Sequence, residues 1–374
     1  MKATPLHPVH IQLGARMVEF GGWQMPLQYG SILEEGRTVR TACGLFDLSH
    51  MGRFEVLGRE AVALVDRVCT NHCARIPVGG IRYSLLCRED GRALDDLLIY
   101  RDEVGVYLVV NAANSARDLE WMRAHARGLA AEIRDTTEES AMLALQGPRS
   151  EEILARVTRD LDLSQLKYYR FAFGTVAGLR RTRISRTGYT GEDGFELYLP
   201  ATEGVRVWHE LTAAGKELGL APIGLGARDV LRLEAGMALY GHELSEDSNP
   251  REAGIEFALA LTPEKGDFIG RAGLEALGRE RRARLVGITT DGPRVPRQGL
   301  ELFHGAERVG RVASGGVSPT LGTNIGSAFV RLGQDREGLE LELDVRGKRQ
   351  SARVRELPFY SRTRKPSGSP GQAR

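Results

Sequence analysis

Cysteine is scarce in this chain, with four among 374 residues, too few for a disulfide scaffold. A reducing compartment, the cytoplasm, is therefore expected. No apolar run approaches the roughly 18 residues of a membrane span. The opening segment MKATPLHPVHIQLGARMVEF has neither the apolar stretch nor the small-residue cleavage site of a secretory signal. Charge of one sign is also missing: 51 basic against 49 acidic residues leave a net +2, with no electrostatic footprint for nucleic acid or an anionic membrane. There is no Walker A sequence and no G-x-S-x-G elbow, and Gly224-Leu-Gly226-Ala-Arg-Asp lacks the third glycine of a dinucleotide site. Cys69-Thr-Asn-His72-Cys73 has neither usual structural-zinc spacing and reads as buried, inert thiols. No metal and no nucleotide is expected.

What is present is ordinary in amount and specific in arrangement. Hydrophobic residues make up 42% and charged residues 27%, the proportions of a globular protein, and the length calls for two or three domains. Apolar spacing predicts a helix over 59–70, with Ala61, Leu64, Val65 and Val68 on one face. Strands are predicted at 81–88 and 94–101, joined by a Glu89-Asp90-Gly91 hairpin turn. A strand at 106–110 and a helix at 114–128 follow. Strand and helix signals alternate from 138 to 240, ending in a clear helix at about 226–237. Beyond the Glu-, Asp- and Pro-rich stretch 245–252, residues 283–356 read as a small antiparallel β domain. The polar tail SRTRKPSGSPGQAR is expected to be disordered.

Three constellations could carry chemistry. In GRALDDLLIY, alternation puts Asp96, Leu98 and Tyr100 on one face and Asp95, Leu97 and Ile99 on the other, so the adjacent carboxylates are not expected to serve one site together. Asp95 reads as a strand-start residue closing the Gly91 turn. For Asp96 that role and a role as a buried, pKa-shifted acid stay equally open. Thr187-Gly-Tyr-Thr-Gly-Glu-Asp-Gly-Phe-Glu-Leu-Tyr198 is a tight glycine loop leading into a strand whose Glu196 could grip the amidine-like edge of a flat heterocycle, with Tyr189 covering its face. Taken alone, an edge strand with Glu196 in water is the favoured reading. On the helix, Val230, Leu233 and Met237 form one stripe, with Arg228 and Arg232 on another face. Arg228 near a helix start opposes the macrodipole; it suits a ligand carboxylate or, equally, an ordinary Arg228–Asp or Arg232–Glu surface pair.

The order and wording of the segments are more specific. Phe20-Gly-Gly-Trp-Gln-Met-Pro26, Phe46-Asp-Leu-Ser-His-Met-Gly52, Leu143-Ala-Leu-Gln-Gly-Pro148, Gly188-Tyr-Thr-Gly-Glu-Asp-Gly194, Ala227-Arg-Asp-Val-Leu-Arg-Leu-Glu-Ala-Gly236, Asp267-Phe-Ile-Gly270, Pro296-Arg-Gln-Gly299, Ser314-Gly-Gly-Val-Ser-Pro319 and Leu357-Pro-Phe-Tyr360 resemble the aminomethyltransferase family, that of the glycine cleavage T-protein. The resemblance runs from Thr4 to about Arg362. It implies an α+β, three-domain cloverleaf-like arrangement: two interleaved N-terminal α+β domains and a C-terminal β-barrel-like domain around a central folate funnel. The expected divisions are 1–50 plus 138–245, 51–137, a connecting segment 246–282, a β domain 283–362 and a tail 363–374.

The resemblance also implies a reaction. The one-carbon unit of an aminomethyl group passes from the lipoyl arm of a partner H-protein to tetrahydrofolate, and ammonia is released. Glu196 matches the glutamate that grips the pteridine, Arg228 the arginine lining the folate pocket, and Asp96 the acid beside the reacting folate nitrogens. Tyr83, Asn111 and Tyr189 are implied as pocket companions, and Arg362 as a further residue reaching the pocket.

The chain departs from the family pattern at His7-Pro8, Gly36, His242-Glu243 and Thr323-Asn-Ile-Gly-Ser-Ala-Phe329. These positions lie outside the three constellations and are expected on the H-protein surface or the lipoyl path. Two alternatives are a demethylase or methyltransferase of the same superfamily, and a folate-binding accessory protein without transferase activity. The Lys-Gly-Cys-Tyr-x-Gly-Gln-Glu run of such accessory relatives does not occur here.

Overall fold

The computed structural model describes residues 1–363 of the 374, so the tail expected over 363–374 lies outside the described residues apart from Thr363. The fold is α+β. Strands Thr158–Arg159, Phe171–Val176, Leu179–Ser185, Gly194–Pro200, Ser140–Gln146, Cys43–Asp47 and Leu220–Pro222 form a seven-stranded sheet in that order. Strands Ile81–Cys87, Ala93–Arg101, Gly105–Val110, Gly52–Leu57 and Glu132–Asp135 form a second, five-stranded sheet. The second is built wholly from the stretch between two strands of the first, so the two α+β units are interleaved. Six strands between Ala283 and Arg355 close into a barrel, and a short three-stranded sheet pairs Lys2–Ala3, Trp23–Gln28 and Arg16–Phe20.

Both large sheets are apolar on both faces, which dictates how they stack. All six residues of Gly-Val-Tyr-Leu-Val-Val110 are buried, as are the first six of Gly194–Pro200. One face of the seven-stranded sheet packs Leu143, Leu145, Phe195 and Leu197 under Ile153, Val207, Trp208 and Leu211 of two helices. The corresponding face of the five-stranded sheet packs Phe54, Leu97, Ile99 and Leu108 under Leu64, Val65, Val68 and Met122. The remaining two faces meet each other: Phe46, Met142, Ala144 and Tyr198 against Ile81, Tyr100, Tyr107 and Val109. Each Val, Leu, Ile, Phe or Met among them contributes about 1.5–3 kcal/mol when fully buried. Arg53, without solvent exposure, donates to Ser140 Oγ at 2.8 Å and to the carbonyls of Met51 and Ser49 at 2.6 and 3.1 Å, tying one sheet to the other.

The expected elements appear with shifted ends. The helix expected over 59–70 spans Ala61–Val68 and buries the four residues named for its apolar face. The hairpin turns at Gly91, whose φ of 81° suits glycine. The helix expected over 226–237 ends at Glu234, so Met237 lies beyond it and is not part of its stripe. No helix among the described residues is long and apolar enough to cross a membrane.

The helix Leu225–Glu234 is pinned at its end by a polar knot. Glu234 has no solvent exposure and receives Arg40 Nη2 at 2.7 Å, Thr320 N at 3.0 Å, Thr320 Oγ1 at 2.8 Å and the Ser318 hydroxyl. Arg40 also binds Glu192 at 3.0 Å and stacks 3.8 Å from the Tyr360 ring centre. Gly36, on the same helix as Arg40, leaves room for the barrel loop: a Cβ there would stand 2.7 Å from Pro319 Cγ. Its departure from the family pattern is thus explained by close packing rather than by an exposed surface. Removing one partner of a buried, hydrogen-bonded ion pair costs about 3–5 kcal/mol. Arg40→Ala is therefore expected to lower the urea-unfolding midpoint by that equivalent, and an unchanged midpoint contradicts the pinning role.

Candidate active site

A cavity of about 630 Å³ opens where the two sheets meet the helix end and the segment 235–257. Six of the seven residues singled out from the sequence line it: Tyr83, Asp96, Asn111, Tyr189, Glu196 and Arg228. The seventh, Arg362, does not. It pairs with Asp193 at 2.9 Å and lies 5.6 Å from the ring of Tyr168, a lining residue, which places it at the rim.

Asp96 sits on Ala93–Arg101, the strand between Ile81–Cys87 and Gly105–Val110. Its Oδ1 accepts a 2.9 Å hydrogen bond from Asn111 Nδ2. Burial, and next the charge of Asp95, push its carboxyl up to about 7, against lowering hydrogen bonds from Tyr83 and Asn111. An acid with that pKa exchanges protons at neutral pH, as general acid–base work requires.

Asp95 corrects one sequence expectation. It does not close the Gly91 turn; Asp90 does, accepting from Arg92 N at 3.1 Å. Asp95 is instead fully buried and takes Asn111 Nδ2 at 2.8 Å on its Oδ1. The same amide thus bridges Asp95 and Asp96. Alternation does aim the two carboxylates at opposite faces, but Asn111 follows the end of Gly105–Val110 and reaches both around the sheet's end. The adjacent acids are therefore electrically joined.

Glu196 is not on an edge. Its strand lies between Leu179–Ser185 and Ser140–Gln146, and the residue is 5% exposed. Its Oε2 accepts from Thr187 Oγ1 and lies 3.5 Å from the hydroxyls of Tyr100 and Tyr198, while Oε1 makes no such bond among the described residues. Burial raises its pKa, opposed by Thr187 and by the positive charge of Arg228. The preceding loop wraps Gln146: a Cβ on Gly188 or Gly194 would stand 1.9 or 2.3 Å from the Gln146 amide. Gln146 in turn bonds Thr187 O and Thr190 Oγ1, each at 3.0 Å. The glycines are there for that amide.

The two arginines of Leu225–Glu234 have opposite fates. Arg232 is buried and fully engaged with Asp229, Glu243 and Ser314 at 2.7–2.8 Å. This is no surface pair. Glu243 also accepts from Leu239 N at 3.0 Å and from the Ser327 hydroxyl, so this departure from the family pattern is an interior strut and not part of a docking surface. Arg228 makes no ion pair among the described residues. Its guanidinium lies 4.5 Å from the Tyr189 ring centre, and burial lowers its pKa. The Tyr189 hydroxyl is held by the carbonyl of Ala238.

Sequence reasoning missed Tyr168, Tyr169, Leu239, Tyr240 and Phe257, which also line the cavity, because they come from loops and a single 3-10 turn, Glu256–Ala258, with no periodic signal. The thiols of Cys69, Cys73 and Cys87 are buried and pushed upward by burial. Among the described residues no group of three or more side chains is placed to hold a metal ion.

An aromatic-lined cavity with a near-neutral acid, a buried carboxylate and a guanidinium without an ion pair among the described residues defines a small-molecule enzyme site. Residues 6–263 match the GCVT N-terminal domain and residues 283–361 the glycine cleavage T-protein C-terminal barrel domain. An aminomethyltransferase of Symbiobacterium thermophilum is 50% identical over 369 residues, covering 96% of this chain and 97% of its own length. One from Moorella thermoacetica is 48% identical, covering 98% and 99%. The crystal structure of glycine cleavage system aminomethyltransferase T from Bartonella henselae superposes with a TM-score of 0.88 at 33% identity, covering 96% of this chain and 98% of that one. The chain belongs to the glycine cleavage T-protein family, the aminomethyltransferases, and is an enzyme of that family.

The raised pKa of Asp96 has a consequence for stability. Between its ordinary value of 3.8 and about 7, the folded state holds a proton that the unfolded state has released, so stability falls as pH rises through that window. Asp96→Asn, which stays neutral, is expected to be more stable than the parent. Its advantage should grow from about pH 4 to about pH 7 and then level off in urea unfolding. A stability difference independent of pH contradicts the shifted acid.

Proposed function

We propose that this enzyme transfers the one-carbon unit of an aminomethyl group, carried on the lipoyl arm of a partner H-protein, to tetrahydrofolate with release of ammonia. The observation that carries the reading is the convergence on one cavity of a near-neutral Asp96, a buried Glu196 and an Arg228 with no ion pair among the described residues. A cavity of about 630 Å³ is within the roughly 300–1,000 Å³ of small-molecule sites. The donor set fits a folate: Glu196 Oε1 is free for an amidine-like edge, Tyr189 offers an aromatic face, and Arg228 offers a cation for a carboxylate. Bound tetrahydrofolate would supply the nitrogens that accept the one-carbon unit.

The chain's own residues then have distinct roles. Glu196 and Tyr189 orient the heterocycle. Asn111 fixes Asp96 through Oδ1. Asp96, enclosed by Tyr83 and apolar walls, stabilises positive charge developing as ammonia departs and exchanges the proton of the attacking nitrogen. The bacterial sources of the relatives fit a cytoplasmic enzyme.

The test is ammonia release and methylenetetrahydrofolate formation from aminomethyl-loaded H-protein, with and without tetrahydrofolate. Strong folate dependence is expected; no turnover with folate still bound contradicts the donor. Asp96→Asn is expected to lose roughly 10²–10⁴-fold in turnover while retaining folate affinity, and undiminished turnover removes Asp96 from the chemistry. Glu196→Ala is expected to weaken folate binding about 10- to 150-fold, the equivalent of one charge-assisted bond. Unaltered affinity in a fluorescence titration removes Glu196 from the site.

A further inference from the structure

Behind Asp96, on the far face of its strand, Asp95 meets Asp118 of the helix Ser115–Ala126. Both residues are essentially without exposure, and their carboxyl groups lie within hydrogen-bonding reach of each other. Protein donors serve only one of them. Asp95 takes Asn111 N at 3.0 Å, Asn111 Nδ2 at 2.8 Å and Asn114 Nδ2 at 2.6 Å. Neither oxygen of Asp118 accepts from any amide, guanidinium or hydroxyl among the described residues. Arg117 Nε stands 4.0 Å from Asp118 Oδ1. The other nitrogens of that arginine are committed to Glu246, the Leu94 carbonyl and the Tyr240 hydroxyl.

Two buried carboxyl groups in contact cannot both ionise. The proton belongs on the one without donors. The first turn of a helix favours a charged Asp118, but that preference is weaker than the combined cost of burial and of a second negative charge in contact. We propose that Asp118 is held as the neutral acid, donating its proton to Asp95, and that this bond keeps Asp95 charged and so sets the field at Asp96. Asp118 is thus a positioning residue for the reacting acid, two hydrogen bonds removed from the cavity.

Burial raises Asp95 as well, opposed by the hydrogen bonds from Asp118, Asn111 and Asn114, and the positive charge of Arg117 opposes the rise of Asp118. Asp96 is faced by Tyr83 and Tyr189 and is raised by Asp95. Asp118 is faced by Arg117, Asp95 and Asp96, with Glu246 and Tyr240 beyond Arg117. Burial and the charge of Asp95 push Asp118 up to about 11.

Infrared spectroscopy of the full-length enzyme tests the protonation directly and independently of any folate activity. At about pH 9, where ordinary carboxyls and Asp96 are ionised, a carboxylic-acid carbonyl band is expected, shifting in D2O and lost in Asp118→Asn. No such band, or one that persists in that variant, overturns the proposal. The kinetic arm rests on the proposed role of Asp96 and reads the acid limb of the pH–rate profile. Asp118→Asn, still able to donate to Asp95, is expected to leave that limb in place. Asp118→Leu, which cannot donate, lets Asp95 take the proton and is expected to move the limb down by about one pH unit. A limb that falls in the Asn variant, or stays put in the Leu variant, overturns the proposal. If the Leu variant does not fold, the band and the Asn limb decide. Absence of all folate-dependent turnover would defeat the proposed function and leave the infrared result standing.

Discussion

Glu234 is the residue on which the arrangement turns. Its side chain is withdrawn from water and surrounded by Arg40, Ser318 and Thr320, while its backbone carbonyl takes Tyr360 N at 2.8 Å. Its carboxylate thereby joins the helix Ile32–Thr41 and the barrel loop, and its carbonyl the segment at Tyr360, to the helix that carries Arg228. A cavity between separate units cannot be held by its own walls, because its walls are where packing is interrupted. The register must come from contacts beside it. Buried charges are suited to this, since the cost of leaving either partner alone penalises any slippage of one unit against the next.

The same logic separates groups that build the site from those that act in it. Arg232 and Glu243 neutralise each other and are spent on structure. Arg228, one turn earlier on the same helix, faces the cavity with only an aromatic ring beside it. Glu196 shares its Oε2 with three hydroxyls and keeps Oε1 unbonded among the described residues. Asp96 is held by one amide and raised by its neighbour. Groups whose electrostatic needs are left unmet inside the protein are those that a ligand can satisfy. Here one cation and two carboxyl groups remain in that state around a single space.

Much of this is legible in the residues, unevenly. The helix at Ala61–Val68 and the hairpin at Gly91 follow from apolar spacing and turn chemistry alone, and the β character of 283–356 from short patterns between Gly and Pro. The grouping of Asp96, Glu196 and Arg228 is not: each reads equally well, or better, as an ordinary surface or turn residue. Only the family wording draws the three together. Asp95 escapes the pattern because a two-residue period says which face a side chain leaves from. It does not say that Asn111, just past the end of the next strand, reaches around the sheet end to touch both acids. Arg40 and Glu234 are 194 positions apart, a separation at which local periodicity carries no information. Glu243 looks like a departure at a surface because one of its partners, Ser327, comes from the barrel, 84 positions away.

The central claim is that one cavity holds a folate with Glu196 at its heterocycle edge and Asp96 at its reacting nitrogens. A crystal structure of the enzyme with tetrahydrofolate bound measures this most directly. The account predicts the pteridine edge within hydrogen-bond distance of Glu196 and the nitrogens beside the Asp96 carboxyl group. A folate bound outside this cavity, or inside it with those nitrogens turned away from Asp96, would contradict it.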